Sequence, residues 1–307
     1  KNTPLKKKDL LSDEEYNDLR DQYGMDAFEA GIGAEAVRTL LEEVDLDKLD
    51  SELRFGRADL LASTLEDMGY RRGLGAEMAD GSLRLATKYG APELSMSVKG
   101  MEMPAYDPRG MQGQGLLYAT SNRGACHMRG NMLDLEVLGL PKLIDRFQVQ
   151  GKSGYVILHQ NTAAAIDSLV ICKFTHMGVS EEYFARALSG VTGVHYATGD
   201  LVRVGERVYN LERHINNLNG FDAKDDTLPR RFLEEPSQEP GSKGQVCELD
   251  LMLAEYYEKR GWVNGVVPEA KLKEFPFNSK MKVVTISNAP STVAGSFTQN
   301  QKQVNLQ

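Results

Sequence analysis

The amino-acid sequence predicts a mainly α-helical fold with two helical domains. Apolar residues recur at helical spacing over much of the chain, whereas strand patterns are confined to short pieces such as residues 155–158 and 282–286. Glycines stand where several of the helical patterns stop. A chain of 307 residues can bury a sizeable core, in one large domain or two smaller ones.

The first ninety residues are predicted to be helical. Ser12 and Glu15 form a capping box, which starts a helix that runs toward Tyr23. Leucines and a methionine at helical spacing follow Gly56, and Gly73 is predicted to end that helix. The four predicted helices cover approximately residues 12–23, 27–44, 57–73 and 76–89.

Four further helices are predicted in the second half of the chain. Residues 201–218 give the clearest pattern, because their apolar side chains step by four and three, and Gly220 ends the helix. Ser180 opens a helix whose first turn contains two glutamates, which the helix dipole favours. Residues 162–169 and 247–260 complete the set.

Residues 100–130 are rich in glycine and have no clean helical or strand period. We therefore predict a loop-rich wall that presents polar groups to a ligand, and a domain boundary near residue 97. The connection 221–243 is predicted to be a long surface loop. The predicted units are a helical domain 1–97, a second helical domain 98–280 and a polar tail 281–307.

Composition excludes several classes of function. A formal net charge of −8 argues against binding to nucleic acid or to anionic membranes, and no apolar run is long enough to span a bilayer. Three scattered cysteines favour a reducing, cytoplasmic location over a disulfide framework. The chain begins with Lys1, which suggests part of a longer polypeptide. Glycine patterns for nicotinamide or ATP binding do not occur.

Four short motifs carry the chemistry. YDPRG at 106–110 and ATSNRGACH at 119–127 are separated by one short segment. Residues 21–26 have the form DxxGxD, and residues 167–172 echo them but end in cysteine. Taken alone, each motif is also typical of a polar helix end, a structural histidine or a solvated charge. We expect the Asp107–Arg109 pair to brace its loop, and Cys126 and Cys247 to be structural.

In this order the motifs resemble those of the tungsten-dependent aldehyde:ferredoxin oxidoreductases. The resemblance runs from about Asp21 to about Trp262 and corresponds to the C-terminal half of the family only, with residues 1–97 as the rest of its domain 2 and 98–280 as its domain 3. It implies oxidation of aldehydes to carboxylic acids by a tungsten or molybdenum bis-pterin. It also implies a [4Fe-4S] cluster, with Mg as an optional further ion.

The resemblance assigns roles to individual residues. His127 corresponds to the active-site histidine beside the metal, as a proton donor or a group that orients oxygen. Cys172 corresponds to the fourth ligand of the cluster, although Val170 replaces the glycine usual in that motif. The residues that the resemblance assigns to cofactor binding are Asp21, Met25, Asp26, Arg123, Arg129, Asp167 and Ile171.

The implied partners are an N-terminal half of the same enzyme, ferredoxin or an iron–sulfur electron-transfer subunit, an aldehyde substrate and further copies in an oligomer. Two alternatives remain at this point. One is a relative that acts on another substrate, such as an aromatic thioester. The other is a non-catalytic scaffold subunit that kept the fold, because this chain contains no CxxCxxxC segment.

Overall fold

A computed structural model describes residues 58–275 and confirms the mainly α-helical fold. The predicted helices at 12–23 and 27–44, the strand at 282–286 and the polar tail lie outside the described residues. The helices of the described part are α1 (Leu61–Gly69), α2 (Gly73–Met78), α3 (Ser82–Lys88), α4 (Gln112–Thr120), α5 (Lys152–Ser168), α6 (Glu181–Thr192), α7 (Thr198–Leu218), α8 (Arg230–Glu234), α9 (Leu249–Arg260) and α10 (Glu269–Lys273).

Helices α1 to α3 surround a small core of their own, built from Leu65, Met68, Met78, Leu85, Ala86, Ala91 and Leu94. Two boundaries predicted here are wrong. Gly73 begins α2 instead of ending α1, and the helix predicted over 76–89 is interrupted. The interruption lies at Gly81, whose φ of +90° is incompatible with a continuing helix but is readily adopted by glycine.

Helix α4 corrects the prediction that residues 100–130 lack regular structure. All nine of its residues are buried, so it has no polar face and therefore no amphipathic period. Its glycines permit close packing: a methyl group on Gly115 would overlap the sulfur of Cys247. The carboxylate of Glu136 accepts hydrogen bonds from the backbone N–H groups of Gly113 and Gln114, which satisfies the start of the helix.

Helix α5 contains residues 155–158, so the strand predicted there is wrong. Tyr155 and Leu158 are apolar but 44% and 47% exposed, so the run is apolar on both faces of the helix and shows no helical period. Helix α7 packs along α5, and their backbones approach so closely that a methyl group on Gly205 would overlap the carbonyl of Asn161. Helices α6, α7 and α9 confirm the predictions made for them.

A two-residue antiparallel hairpin, β1 (Ser97–Val98) and β2 (Met101–Glu102), follows the small core. Between its strands the buried ammonium of Lys99 contacts Asp226 Oδ1 at 2.9 Å. Arg213 Nη2 donates to the other oxygen of Asp226 at 2.6 Å. The connection 221–243, predicted to be a surface loop, therefore carries a fully buried carboxylate as well as the short helix α8.

Two further cores lie beyond the hairpin. The larger joins α4, α5 and α9, and the smaller joins α5, α6 and α7 around Ile166, Phe184 and Leu201. The domain boundary near residue 97 stays a prediction. None of the helices within 58–275 has both the length and the apolar composition needed to cross a membrane.

Candidate functional site

The NRGACH segment leaves the C-terminal end of α4 and is held by α7. The amide nitrogen of Asn122 donates to the carbonyl of Tyr209 at 3.0 Å. The carbonyl of Asn122 in turn accepts from the side chain of Asn216 at 2.7 Å. Two positions of α7, about two turns apart, therefore fix the start of the segment.

Gly124 closes the turn that follows, against the β1–β2 hairpin. Its φ is +113°, a conformation that favours glycine. A Cβ atom at this position would lie 2.6 Å from the carbonyl oxygen of Val98 and 2.8 Å from Cβ of Met101. The sequence NRG is thus required by a close approach of two backbones as well as by its polar side chains.

His127 is half-buried at the far side of this turn. Its ring and the ring of Tyr106 make an edge-to-face contact, with centroids 5.7 Å apart and planes inclined by 69°. Burial lowers the pKa of His127, and the positive charge of Arg123 lowers it further. The imidazole is therefore neutral at pH 7 and able to accept a proton.

Arg129 connects the two motifs. Its guanidinium Nη1 contacts Asp167 Oδ2, in the last turn of α5, at 3.0 Å, and Glu212 Oε1, on α7, at 3.4 Å. All three side chains keep about a third of their surface exposed, at 31%, 37% and 32%. An ion pair this exposed contributes little to folding, so its groups are free to exchange partners for a ligand.

Residues 167–172 form the exposed end of α5. Val170 adopts a φ of +57° and is 93% exposed. This left-handed backbone favours glycine, and here a β-branched residue adopts it. Cys172 is a free, exposed thiol at the start of the 3-10 turn Lys173–Met177, while Ile171 packs against the α5–α6–α7 core.

The structure brings some of the predicted site residues together and leaves others apart. Arg129 and Asp167 are in contact, and Arg123 acts electrostatically on His127. Within residues 58–275, the side chain of Cys172 makes no hydrogen bond or ion pair with any of these other predicted site residues. Asp21, Met25 and Asp26 lie outside the described residues.

The residues predicted to be structural make contacts, or have a burial, that fit this prediction. Arg109 donates hydrogen bonds to the carboxylate of Asp107 from its backbone N–H at 2.8 Å and from Nη2 at 2.6 Å. Its Nη1 donates to the carbonyl of Glu235 at 3.0 Å. Cys126 and Cys247 are buried, and burial raises the pKa of the Cys247 thiol.

Sequence reasoning missed Tyr106, Asn122 and Glu212 as members of this cluster. Tyr106 and Asn122 stand inside quoted motifs, where an aromatic residue or an amide has no obvious role until the contact is seen. Glu212 belongs to the polar face of an amphipathic helix and carries no sequence signal.

The donor set fits a pterin. Exposed guanidiniums suit phosphate and carbonyl oxygens, and the Asp167 carboxylate suits amino and ring N–H groups. In addition, Oδ1 of Asn122 is buried without a hydrogen-bond partner in the described part of the chain, which leaves an acceptor for an N–H donor. No group of three or more metal-ligating side chains occurs within 58–275, so an iron–sulfur cluster at Cys172 would need ligands from elsewhere.

Comparison with known proteins identifies the family. A family model described as aldehyde ferredoxin oxidoreductase, domains 2 and 3, matches residues 5–276. The tungsten-containing aldehyde ferredoxin oxidoreductase of Pyrococcus furiosus is 42% identical over 275 residues, which cover 87% of this chain and 45% of that protein. This chain thus spans about half the length of that relative.

Two other similarities carry less information, the first because of its low sequence identity and the second because it is short. The active-site complex BamBC of benzoyl coenzyme A reductase matches with a TM-score of 0.65 over 86% of this chain and 46% of that one, and at 16% identity this shows the fold alone. A stretch of 52 residues is 62% identical to the RNA polymerase subunit beta' of Syntrophomonas wolfei, covering 17% of this chain and 4% of that protein. By the match over most of its length, the chain belongs to the aldehyde ferredoxin oxidoreductase family.

Proposed function

We propose that this chain is the C-terminal half of a cytoplasmic, oligomeric oxidoreductase that converts aldehydes to carboxylic acids and acts only together with an N-terminal half. The observation that carries the proposal is the contact between Arg129 and Asp167, at 3.0 Å, in a member of this family. Arg129 follows the NRGACH segment by two residues, so the contact supports a site formed by that segment and the motif that ends in Cys172. The two parts of the expected cofactor site are therefore neighbours in one chain.

The reaction takes an aldehyde and water to a carboxylic acid, two electrons and two protons. A tungsten or molybdenum bis-pterin, when bound, would supply the two-electron acceptor, and a [4Fe-4S] cluster would carry the electrons to ferredoxin or an iron–sulfur subunit. His127 would take up a proton at its free ring nitrogen, since its lowered pKa keeps it neutral at pH 7. The Tyr106 ring would keep that imidazole oriented.

The remaining residues would hold the cofactors. Arg123 and Arg129 would bind phosphate and carbonyl oxygens, and Asp167 would exchange its bond to Arg129 for pterin N–H groups. Ile171 would contribute through its backbone, because its side chain packs inward. Asp21, Met25 and Asp26 would bind the second pterin, and Cys172 would ligate the cluster as thiolate. We assign no residue to Mg.

The test uses the complete enzyme, purified without oxygen. We expect tungsten or molybdenum together with about four irons per enzyme unit, and reduction of a viologen dye on addition of aldehydes. His127→Gln should remove most of this activity without loss of metal. The exposed His195 offers a control, because His195→Gln should have no effect on turnover. Fresh enzyme that contains neither metal would refute the proposal.

The same assay separates the alternatives. A relative that acts on another substrate would contain tungsten or molybdenum and iron, but it would act on an aromatic thioester in place of aldehydes. A scaffold subunit would contain neither metal nor iron and would show no turnover with either substrate.

A further inference from the structure

The β1–β2 hairpin turns through Lys99 and Gly100, and lysine is an unfavourable residue for this turn. Both residues have a positive φ, +53° and +77°, as in the two-residue turns that join antiparallel strands. Asparagine and glycine are preferred at the first position, because other residues crowd the following carbonyl oxygen without a compensating local hydrogen bond. The turn itself therefore gives no reason for a lysine.

The ammonium of Lys99 is buried beside a carboxylate that already has a partner. The side chain is 4% exposed, and its Nζ lies 2.9 Å from Asp226 Oδ1. Arg213 donates to both oxygens of Asp226, from Nη1 at 2.8 Å and from Nη2 at 2.6 Å. One carboxylate thus serves two buried cations, and burial lowers the pKa of Lys99. Asp226 does not need Lys99 for neutralisation, and a second buried cation costs stability.

The same ammonium contacts the end of helix α4. It donates to the carbonyl oxygen of Ala119 at 2.5 Å, in the last turn of the helix, where carbonyl groups lack partners within the helix. Ala119 is the first residue of the ATSNRGACH segment. The next carbonyl, that of Thr120, accepts from the hydroxyl of Tyr209 on α7 at 2.9 Å. The start of the segment is thus held by the hairpin as well as by α7.

The hairpin meets this segment at a second point. A Cβ atom on Gly124 would lie 2.6 Å from the carbonyl oxygen of Val98, the residue before Lys99. The two neighbouring hairpin residues therefore contact the segment at positions 119 and 124. Arg123 lies between these two contacts, and His127 follows the second by three residues.

We propose that Lys99 is a positioning residue of the candidate site, because its ammonium ties the hairpin to the end of α4 and so fixes the segment that carries Arg123 and His127. The contact with Ala119 gives a reason for a lysine that neither the turn nor the charge of Asp226 provides. The effect on turnover rests on the proposed function, whereas the hold on the segment does not.

The hold on the segment is tested in the complete enzyme with Lys99→Asn, which suits the turn and removes the ammonium. The readout is the rate at which N-ethylmaleimide alkylates each cysteine, resolved by mass spectrometry. Cys126 lies inside the segment and is 1% exposed, while Cys247 lies in the core and is 3% exposed. We expect the rate at Cys126 to rise by about 10-fold relative to Cys247, because a hydrogen bond from a charged donor is lost.

Equal rates of increase at both cysteines, including those of a variant that unfolds, would show that Lys99 serves the fold as a whole. An unchanged rate at Cys126 would show that the ammonium does not hold the segment. Either result would overturn the proposal.

Lys224→Asn is the matched control. Lys224 also donates to a carbonyl and a carboxylate, those of Gly220 and Asp222, both at 2.9 Å. Its side chain is 66% exposed, and it contacts no residue of the ATSNRGACH segment through these bonds. We expect this variant to alkylate at the same rates as the unchanged enzyme.

The effect on turnover is tested by steady-state kinetics of the same variants. A displaced segment misplaces His127, so Lys99→Asn should lower kcat by about 10- to 100-fold and leave KM nearly unchanged. An unchanged kcat would refute the positioning role. If the unmodified complete enzyme oxidises no aldehyde, the proposed function fails, while the alkylation rates still decide whether Lys99 holds the segment.

Discussion

The two motifs that form the candidate site differ in how this chain supports them. Residues 122–130 are anchored by buried partners: Asn122 to α7, Gly124 to the β1–β2 hairpin, and Cys126 within the core. Residues 167–172 end a helix at the surface, with Val170 93% exposed and Cys172 a free thiol. One motif is thus held by buried contacts of this chain, while the other ends exposed at the surface.

The anchoring of the first motif depends on a buried charge cluster, and its loss should have the largest effect on stability. Asp226 is contacted by Lys99, by Arg213 and, at 2.7 Å, by the hydroxyl of Tyr257. Asp226→Asn leaves two buried cations without a carboxylate, which should cost about 3–5 kcal/mol of the free energy of unfolding. The lone tryptophan, Trp262, is 4% exposed, so its fluorescence can follow denaturant unfolding.

The control for this variant is Glu258→Gln, at an exposed position of α9 away from the first turn. It should change the free energy of unfolding by less than about 0.5 kcal/mol. Equal effects of the two substitutions would mean that the cluster around Asp226 does not stabilise the first motif.

A glycine pair compares the two motifs directly. Gly124→Ala forces a methyl group against the backbone of Val98, 2.6 Å away, at a φ of +113°. We expect a loss of about 2–3 kcal/mol. Gly178→Ala, six residues beyond Cys172, has no atom within 4 Å of the new methyl group and a φ of −121°. Thermal unfolding should therefore show a lower midpoint for Gly124→Ala than for Gly178→Ala. An equal loss of stability in the two variants would contradict the claim that only the first motif is anchored by close packing.

The pH dependence of stability tests the environment of His159, which lies in the same helix as the start of the second motif. His159 lies beside Lys173 and His176, and burial, followed by the charge of Lys173, lowers its pKa from 6.5 to about 4. As the pH falls below 6.5, the unfolded chain takes up a proton that the folded chain does not. Stability due to this residue should thus be complete above pH 6.5 and decline as the pH approaches 4.

His159→Gln removes this contribution, so the variant should lose less stability than the unchanged chain between pH 6.5 and pH 4. The measurement is the denaturant midpoint as a function of pH. Identical slopes for the two proteins would show that the imidazole is already solvated in the folded state.

The smallest predicted effect on stability concerns the strained turn at Val170. Glycine there should relieve about 1–2 kcal/mol of left-handed strain and lose about 0.5–1 kcal/mol to unfolded-state entropy. We therefore expect Val170→Gly to raise the unfolding midpoint slightly. Val191→Gly, in the last turn of α6 and 88% exposed, should lower it. A lower midpoint for Val170→Gly would mean that the valine side chain makes a stabilising contact.

Sequence patterns predicted the amphipathic helices well, because α6 and α7 each show one apolar face to a core and one polar face to solvent. They failed for α4 and for the first turns of α5. Helix α4 is buried on all sides and therefore loses its period, and its glycines, which usually mark loops, serve close packing instead. In α5 the period is hidden because exposed positions such as Tyr155 and Leu158 are also apolar.

The sequence predicted which residues belong to the candidate site but not which of them are in contact. The motifs identified His127, Arg123, Arg129 and Asp167 as candidates, whereas the contact of Arg129 with Glu212 joins residues 83 positions apart. The Lys99–Asp226 contact is similarly remote in sequence. Such pairings arise only when the hairpin and α7 are packed against α4, and local patterns contain no information on that packing.

We propose that the exposed motif ending in Cys172 completes an iron–sulfur site in the whole enzyme. The most direct measurement is the electron paramagnetic resonance spectrum of the reduced complete enzyme carrying Cys172→Ala, with Cys247→Ala as the control because that thiol is buried in the core. We predict that the cluster signal and the iron content are lost in Cys172→Ala and retained in Cys247→Ala. A Cys172→Ala enzyme with an unchanged signal and unchanged iron would contradict the claim.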